Sequence, residues 1–323
     1  MWNYVVRRLL YNVPVFLGIL LILMALLRFG QADPVYSHLG KNASPEDVET
    51  VRAELGLDRP FLEQYATFVG EVVTLDFEQE SWGTPGKTVG ELLSESFVPT
   101  LLITVPSLLL TALISICIGL ASAYFRGRFV DRFLMVAAVV GMSISFLVYI
   151  VLGQYFGAYR LNEALGEELF AINYQNGDLT TPEGWFRYCL LPVAIAVVVA
   201  MGYDTRFYRA VMVEESTRDY ITTAKAKGAG RRKVMFVHML KNAMIPIISR
   251  VMTTLPFLIV GSVLLEYYFT IPGMGNLLLT AILSDRDFPV IQAFTAVFAV
   301  IFIVSNVLTD VFYALVDPRV RLS

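Results

Sequence analysis

The chain has 323 residues, 56% of them hydrophobic and only 16% charged, with a mean hydropathy of +0.62. A soluble domain cannot hide so much apolar surface, so the composition excludes a water-soluble enzyme and points to an integral membrane protein. The net charge of −3 argues neither for nor against a nucleic-acid partner; where the charges fall points to membrane topology and to no nucleic acid.

Six apolar stretches reach the roughly 20 residues needed to cross about 30 Å of hydrocarbon. The first runs from about Leu9 to Phe29, behind Arg7 and Arg8. It is longer than the apolar part of a signal peptide and lacks a small-residue cleavage site, so it is expected to remain as a span. Residues 30–98 carry thirteen Asp and Glu against four Lys and Arg, which fits an extracytoplasmic segment. Within it, Ser44-Pro45-Glu46-Asp47 predicts a helix start, with Ser as the cap and Pro at the first helical position. Val48, Val51 and Leu55 follow at helical spacing, and Gly56 ends the run. Phe61, Tyr65, Phe68, Val69 and Val72 mark a second amphipathic helix. A small helical insertion packed on the spans is expected, not an independent domain. Gly83-Thr84-Pro85-Gly86-Lys87-Thr88 looks like a phosphate-binding loop, but Ser81 stands where that motif needs Gly, and no buried strand precedes it. A surface turn is the expectation there.

The second span covers about Pro99 to Phe125 and ends in Arg126, Arg128 and Arg132 on a short cytoplasmic loop. The third covers about Phe133 to Tyr155, with Gly141, Ser143, Ser145 and Gly153 allowing close helix approach. Residues 158–186 are polar and net acidic, hence outside. The fourth span, about Tyr188 to Tyr203, is short, with Asp204 and Arg206 just beyond it. The fifth runs from about Pro246 to Tyr268 and the sixth from about Val290 to Val311, before Asp317-Pro318-Arg319. Pro99, Pro106, Pro192 and Pro256 are expected to kink the spans. Sixteen Lys and Arg then lie on one side, with both termini cytoplasmic in a cytoplasmic (inner) membrane. The fold expected is all-α and polytopic, with six transmembrane helices and an extracytoplasmic helical insertion after the first. Its divisions are residues 1–29, the insertion 30–98 and a core of five spans over 99–323, which includes a cytoplasmic loop at 204–245.

That loop is the long internal stretch crowded with positive charge: nine of the 25 Lys and Arg lie between Arg206 and Lys241. Ile221 to Gly230 predicts a short helix and a break, because Ala224, Lys225, Ala226 and Lys227 favour helix while Gly228 and Gly230 free the backbone to turn. A second helical pattern begins at Arg231. A helix, a glycine turn and a helix make a shape that another protein can grip.

The run from Asp219 to Pro246, DYITTAKAKGAGRRKVMFVHMLKNAMIP, resembles the cytoplasmic coupling loop of ATP-binding-cassette (ABC) importer permeases, in the dipeptide/oligopeptide branch. Asp219, Tyr220, Thr223, Ala224, Lys225, Ala226, Lys227, Gly228, His238, Asn242, Ala243 and Pro246 stand at the places of that branch's pattern. Thr222 takes the place of the Glu of the general importer signature, as is usual in the branch. The resemblance extends to Leu75-Asp76-Phe77, to Ile271-Pro272-Gly273-Met274-Gly275, and to Asn306, Asp310, Tyr313 and Asp317-Pro318-Arg319. It departs at Glu78, where the family has Gly, and at Asp33-Pro34, a shortened form of the family's turn.

The resemblance implies a pore subunit, not an enzyme, that switches between inward-facing and outward-facing states. ATP and Mg would be held by two partner ATPase subunits, into which the loop's short helix docks, and the chain itself would hold no cofactor. The other implied partners are a homologous second permease subunit, an extracytoplasmic solute-binding protein and the lipid bilayer. Asp219, Tyr220, Ile221, Thr223, Ala224, Lys225, Ala226, Lys227 and Gly228 would form the ATPase contact, with Tyr220 and Ile221 as its apolar part. Pro272, Gly273 and Gly275 would shape an outer gate or docking lip, or a plain turn.

The residues themselves yield no catalytic constellation. His38 and His238 lie in different loops, and Cys117 and Cys189 sit in apolar runs, against a metal site or disulfide. Arg250, Glu266 and Asp310 are expected near span ends, which leaves no carboxylate at mid-membrane for a proton-coupled carrier. A stand-alone secondary transporter is the alternative, and the basic loop favours an external energy source over it.

Overall fold

A computed structural model of the chain describes residues 2–29, 34–39, 43–54, 56–285 and 287–316. Asp33, Asp317, Pro318, Arg319 and Arg321 lie outside these residues, and so does the side-chain placement of Arg7, Arg8, His38, Asp310 and Tyr313. Among the described residues fifteen α-helices follow in order: α1 (Trp2–Phe29), α2 (Pro34–Leu39), α3 (Pro45–Glu54), α4 (Phe61–Thr74), α5 (Val89–Tyr124), α6 (Phe129–Ser143), α7 (Phe146–Leu152), α8 (Leu161–Leu165), α9 (Pro182–Tyr188), α10 (Leu190–Glu215), α11 (Asp219–Ala226), α12 (Arg231–Lys233), α13 (Leu240–Tyr268), α14 (Met274–Thr280) and α15 (Phe288–Val316). Among the described residues three π-helical turns, Gly153–Arg160, Val234–Met239 and Ala281–Asp285, interrupt them. The only extended pairing among the described residues is one bridge between Glu80 and Thr88.

Among the described residues four helices are long and apolar enough to cross a membrane: Val89–Tyr124, Leu190–Glu215, Arg231–Thr254 and Phe288–Thr309. The first expected span is α1, whose described apolar part is Leu10–Leu26. The third differs from expectation. Instead of one helix over 133–155, α6 and α7 meet at a 93° bend. Ile144 and Ser145 at the bend are both extended, so the backbone ladder is cut there. The fourth also differs, since α10 runs through Asp204 and Arg206 to Glu215. Much of the expected loop 204–245 is therefore helix, and its irregular parts shrink to residues 216–218 and 227–230.

The chain forms two compact units. In the first, Met1–Pro99 with Pro272–Val307, the insertion does not stand apart: Phe68 and Val72 of α4 share a core with Leu20 and Met24 of α1 and Ala296 of α15. The Tyr65 hydroxyl donates to the Leu17 carbonyl at 2.7 Å. Ser44 caps α3 as its sequence predicts, accepting the Asp47 N–H at 3.2 Å. The phosphate-loop lookalike is a tight turn whose Gly83 N–H donates to the buried Asp287 carboxylate at 3.0 Å, while Lys87 pairs with Glu95 at 2.7 Å. Asp287 also accepts from the Ser81 hydroxyl at 2.5 Å and caps α15 through the Val290 N–H at 3.2 Å.

In the second unit, Thr100–Ile271 with Leu308–Leu322, one core gathers Ile103, Ile150, Val193, Val197, Leu265 and Phe269. Part of the 158–186 segment closes over the end of α13. Tyr174 N–H donates to Phe269 O at 2.8 Å, the Thr270 hydroxyl to Tyr174 O at 3.0 Å, and the Gln154 amide to Tyr268 O at 2.9 Å. The bonds from Tyr174 and from Gln154, which lies just before the segment, satisfy the Phe269 and Tyr268 carbonyls that the end of α13 leaves without helical partners. A second core lies under α11.

Candidate coupling site

The site grows out of α10. At its end Thr217 and Ser216 fold back, their hydroxyls donating to the carbonyls of Glu214 at 2.7 Å and Val213 at 2.6 Å. Arg218 pairs with Glu214 at 3.0 Å. The chain then turns into α11. Tyr220 donates its hydroxyl to Glu215, and burial, aided by this bond, pushes the pKa of its phenol up to about 12.

Helix α11 has two faces. Ile221 is 1% exposed and Ala224 8%, and both enter a core of Leu120, Tyr208, Met212, Val234, Met239 and Ile247. Tyr220 packs beside them, half-buried. The opposite face shows Asp219, Thr222, Thr223, Lys225 and Ala226 to solvent. Here the structure corrects the sequence reading. Ile221 and Ala224 are not surface contacts for a partner, because burying them is what holds α11 on the body of the protein. The surface a partner would meet is small and polar.

The helix ends as its glycine predicts. Gly228 N–H donates to Lys225 O at 2.9 Å and Ala229 N–H to Ala224 O at 3.0 Å, with Gly228 at φ +80°. That pairing is a Schellman cap, and the left-handed position in it favours Gly because a Cβ there is strained. Lys227, just before it, is exposed. Beyond the cap, Arg231 donates to the Tyr124 carbonyl and lies 4.0 Å over the Tyr124 ring, tying this end to α5. The chain then runs through the Val234–Met239 π-turn into α13, where the Asn242 amide donates to His238 O at 3.1 Å.

Two charge pairs that sequence reasoning missed support the site. Arg250 of α13 donates to Asp204 of α10 at 2.9 Å. Arg209 of α10 grips Asp131 of α6 with two bonds, 2.6 and 2.8 Å, and Asp131 also accepts from the Ser122 hydroxyl at 2.5 Å and the Gly127 N–H at 2.9 Å. Asp204 and Arg250 both sit inside long helices, not at helix ends. The partners stand 46 and 78 residues apart, so no local spacing signals them. Close helix approach assists: a Cβ on Gly119 of α5 would lie 3.1 Å from Tyr208 Cβ and Arg209 N of α10. Of the candidate gate residues, Pro272 is exposed, Gly273 caps α14 and Gly275 is buried in its first turn.

Residues 115–322 match the family described as binding-protein-dependent transport system inner membrane component, and residues 1–98 match the N-terminal region of such membrane components. The chain belongs to this family. It is a dipeptide/oligopeptide-type ABC permease, a multi-pass inner-membrane subunit of an importer. This permease is 32% identical to a glutathione transport system permease protein of Salmonella paratyphi A, with 99% of each chain covered. It is 31% identical to a protein named as a peptide permease in Brucella suis biovar 1, over the whole of both chains. Its fold is similar to a chain of the MetNI methionine ABC transporter in inward-facing conformations, with a TM-score of 0.57 at 16% identity, covering 70% of the permease and 97% of that chain. As a permease of this family the chain is a transport subunit that works with other subunits, and the stand-alone carrier is set aside.

Proposed function

We propose that this permease forms one half of a translocation pathway for peptides or similar small solutes and is driven at α11 by a partner ATPase. The observation that carries the reading is the two-faced α11: an exposed polar surface on a helix whose other face is locked into the core beneath α10 and α13. A groove that grips Asp219, Thr222, Thr223, Lys225 and Ala226 moves the whole assembly, because α11 cannot slide without tearing Ile221 from its core. ATP and Mg belong to two ATPase subunits, whose closure would push α11 and switch the pathway by alternating access. A homologous second permease subunit completes the pore, and an extracytoplasmic solute-binding protein delivers the solute. The basic residues around α11 favour a cytoplasmic position for it, with both termini on the same side. Pro272, Gly273 and Gly275 are the proposed outer gate. The names of the relatives support peptides or glutathione as the solute class.

The test is affinity purification of the tagged full chain from its native membrane in mild detergent, followed by mass spectrometry. Recovery of one or two P-loop ATPases with a second six-span subunit is expected. A chain that purifies alone and moves solute into liposomes without ATP would overturn the reading.

A further inference from the structure

The first unit contains a cavity of about 230 Å³ that the transport reading does not use. By volume it holds on the order of ten waters, enough for a small solute. Its apolar floor is Met24 of α1 and Phe68 of α4, both buried. Trp82 closes one side, stacked on Phe288 with ring centroids 6.1 Å apart. The Ser81 and Gly83 bonds to Asp287 hold the turn that carries this tryptophan.

The charges on the wall set the ligand. Arg28 donates to Leu57 O at 2.7 Å, and the Arg59 side chain lies 3.7 Å from where a Cβ on Gly56 would stand. Both guanidinium groups thus converge on the turn at residues 56–57. The Glu71 carboxylate lines the same cavity, held by the Gln79 amide at 3.2 Å. Burial raises its proton affinity. Among the described residues neither arginine forms an ion pair with Glu71. Opposite charges that line one open cavity without pairing with each other offer a ligand one wall for an anion and one for a cation. We infer that this cavity is a binding site for a small zwitterion, an α-amino acid with an apolar side chain: its carboxylate on Arg28 and Arg59, its ammonium on Glu71 and its side chain on Met24 and Phe68. The site shares no residue with α11.

Calorimetric titration of the full-length permease, purified with its partners in nanodiscs, tests this with L-leucine as the probe. Saturable binding is expected, weakened at least tenfold by Arg59→Gln and by Glu71→Gln. Isopentylamine, which lacks the carboxylate, and 4-methylpentanoate, which lacks the amine, should each bind at least tenfold more weakly than leucine. Arg59 is exposed, so its substitution leaves the fold intact and keeps the test decisive. O-phosphoethanolamine carries the same two charges as a lipid headgroup. If it binds in an Arg59-dependent manner and leucine does not, the occupant is lipid and the inference is wrong. Leucine binding that is absent, or untouched by both substitutions, overturns it as well.

Discussion

Asp204 and Arg250 are 46 residues apart in the chain and 2.9 Å apart in the fold, joining α10 to α13. These are the helices that lead into and out of α11, so the pair clamps together the two arms that carry it. Its two ends differ in environment: the aspartate side chain is 7% exposed and the arginine 39%. Removing the arginine strands a buried carboxylate, whereas removing the aspartate leaves a cation that still reaches solvent. Arg250→Met should therefore destabilise by ~3 kcal/mol and Asp204→Asn by ~1 kcal/mol. The double variant should lie closer to the native protein than Arg250→Met alone, because an uncharged pair strands no charge. Thermal unfolding in detergent reads all three, and the reverse order of the two single variants would show that the pair is not the clamp described.

The two faces of α11 should separate stability from coupling. Ile221→Ala empties a fully buried position and should cost ~2–4 kcal/mol, seen as a lowered unfolding midpoint. Ala226→Trp adds bulk on the exposed face and should leave that midpoint within ~0.5 kcal/mol of the native protein while cutting ATP-driven uptake tenfold or more. Unimpaired uptake by the Ala226→Trp protein would move the docking surface elsewhere.

Much of this architecture is legible in the sequence because apolar length and basic loops report the membrane directly. The helix start at Ser44, the turn at Gly83 and the cap at Gly228 are local devices and are read locally. What escapes is long-range. That Ile221 faces inward depends on Met212, Val234 and Met239 arriving beneath it, and an eight-residue helix holds too few turns for periodicity to say which face is buried. Asp131 and Arg209 look like unrelated loop charges until α6 and α10 pack side by side. The bend at Ile144 and Ser145 carries neither Pro nor Gly, so no breaker residue marks it in the sequence.

Alkaline titration gives a further check on the entry to α11. The Tyr220 phenol, raised to about 12 by burial and its bond to Glu215, holds its proton more tightly in the folded protein than in the unfolded chain, where it sits near 10. Its contribution is fully present below pH 10 and is lost as pH rises from 10 towards 12, because there the unfolded chain alone ionises. Tyr220→Phe should therefore flatten the fall in unfolding midpoint across pH 10–11.5 relative to the native protein. A fall of unchanged steepness in the variant would mean that Tyr220 is not the group responsible.

Gly228 carries the sharpest prediction. At φ +80° it closes the α11 cap, and its N–H is bonded to Lys225 O. Alanine there keeps the bond and pays only for the left-handed backbone, a cost of about 1 kcal/mol, so partial uptake should survive. Proline removes the N–H and forces φ near −65°, so the cap cannot form and α11 loses its fixed angle to the following helix. Because no span contains residue 228, Gly228→Pro should insert at native levels yet transport nothing. Membrane abundance and ATP-driven uptake measured on the same vesicles decide it: normal uptake in the proline variant would end the assignment of this turn to coupling.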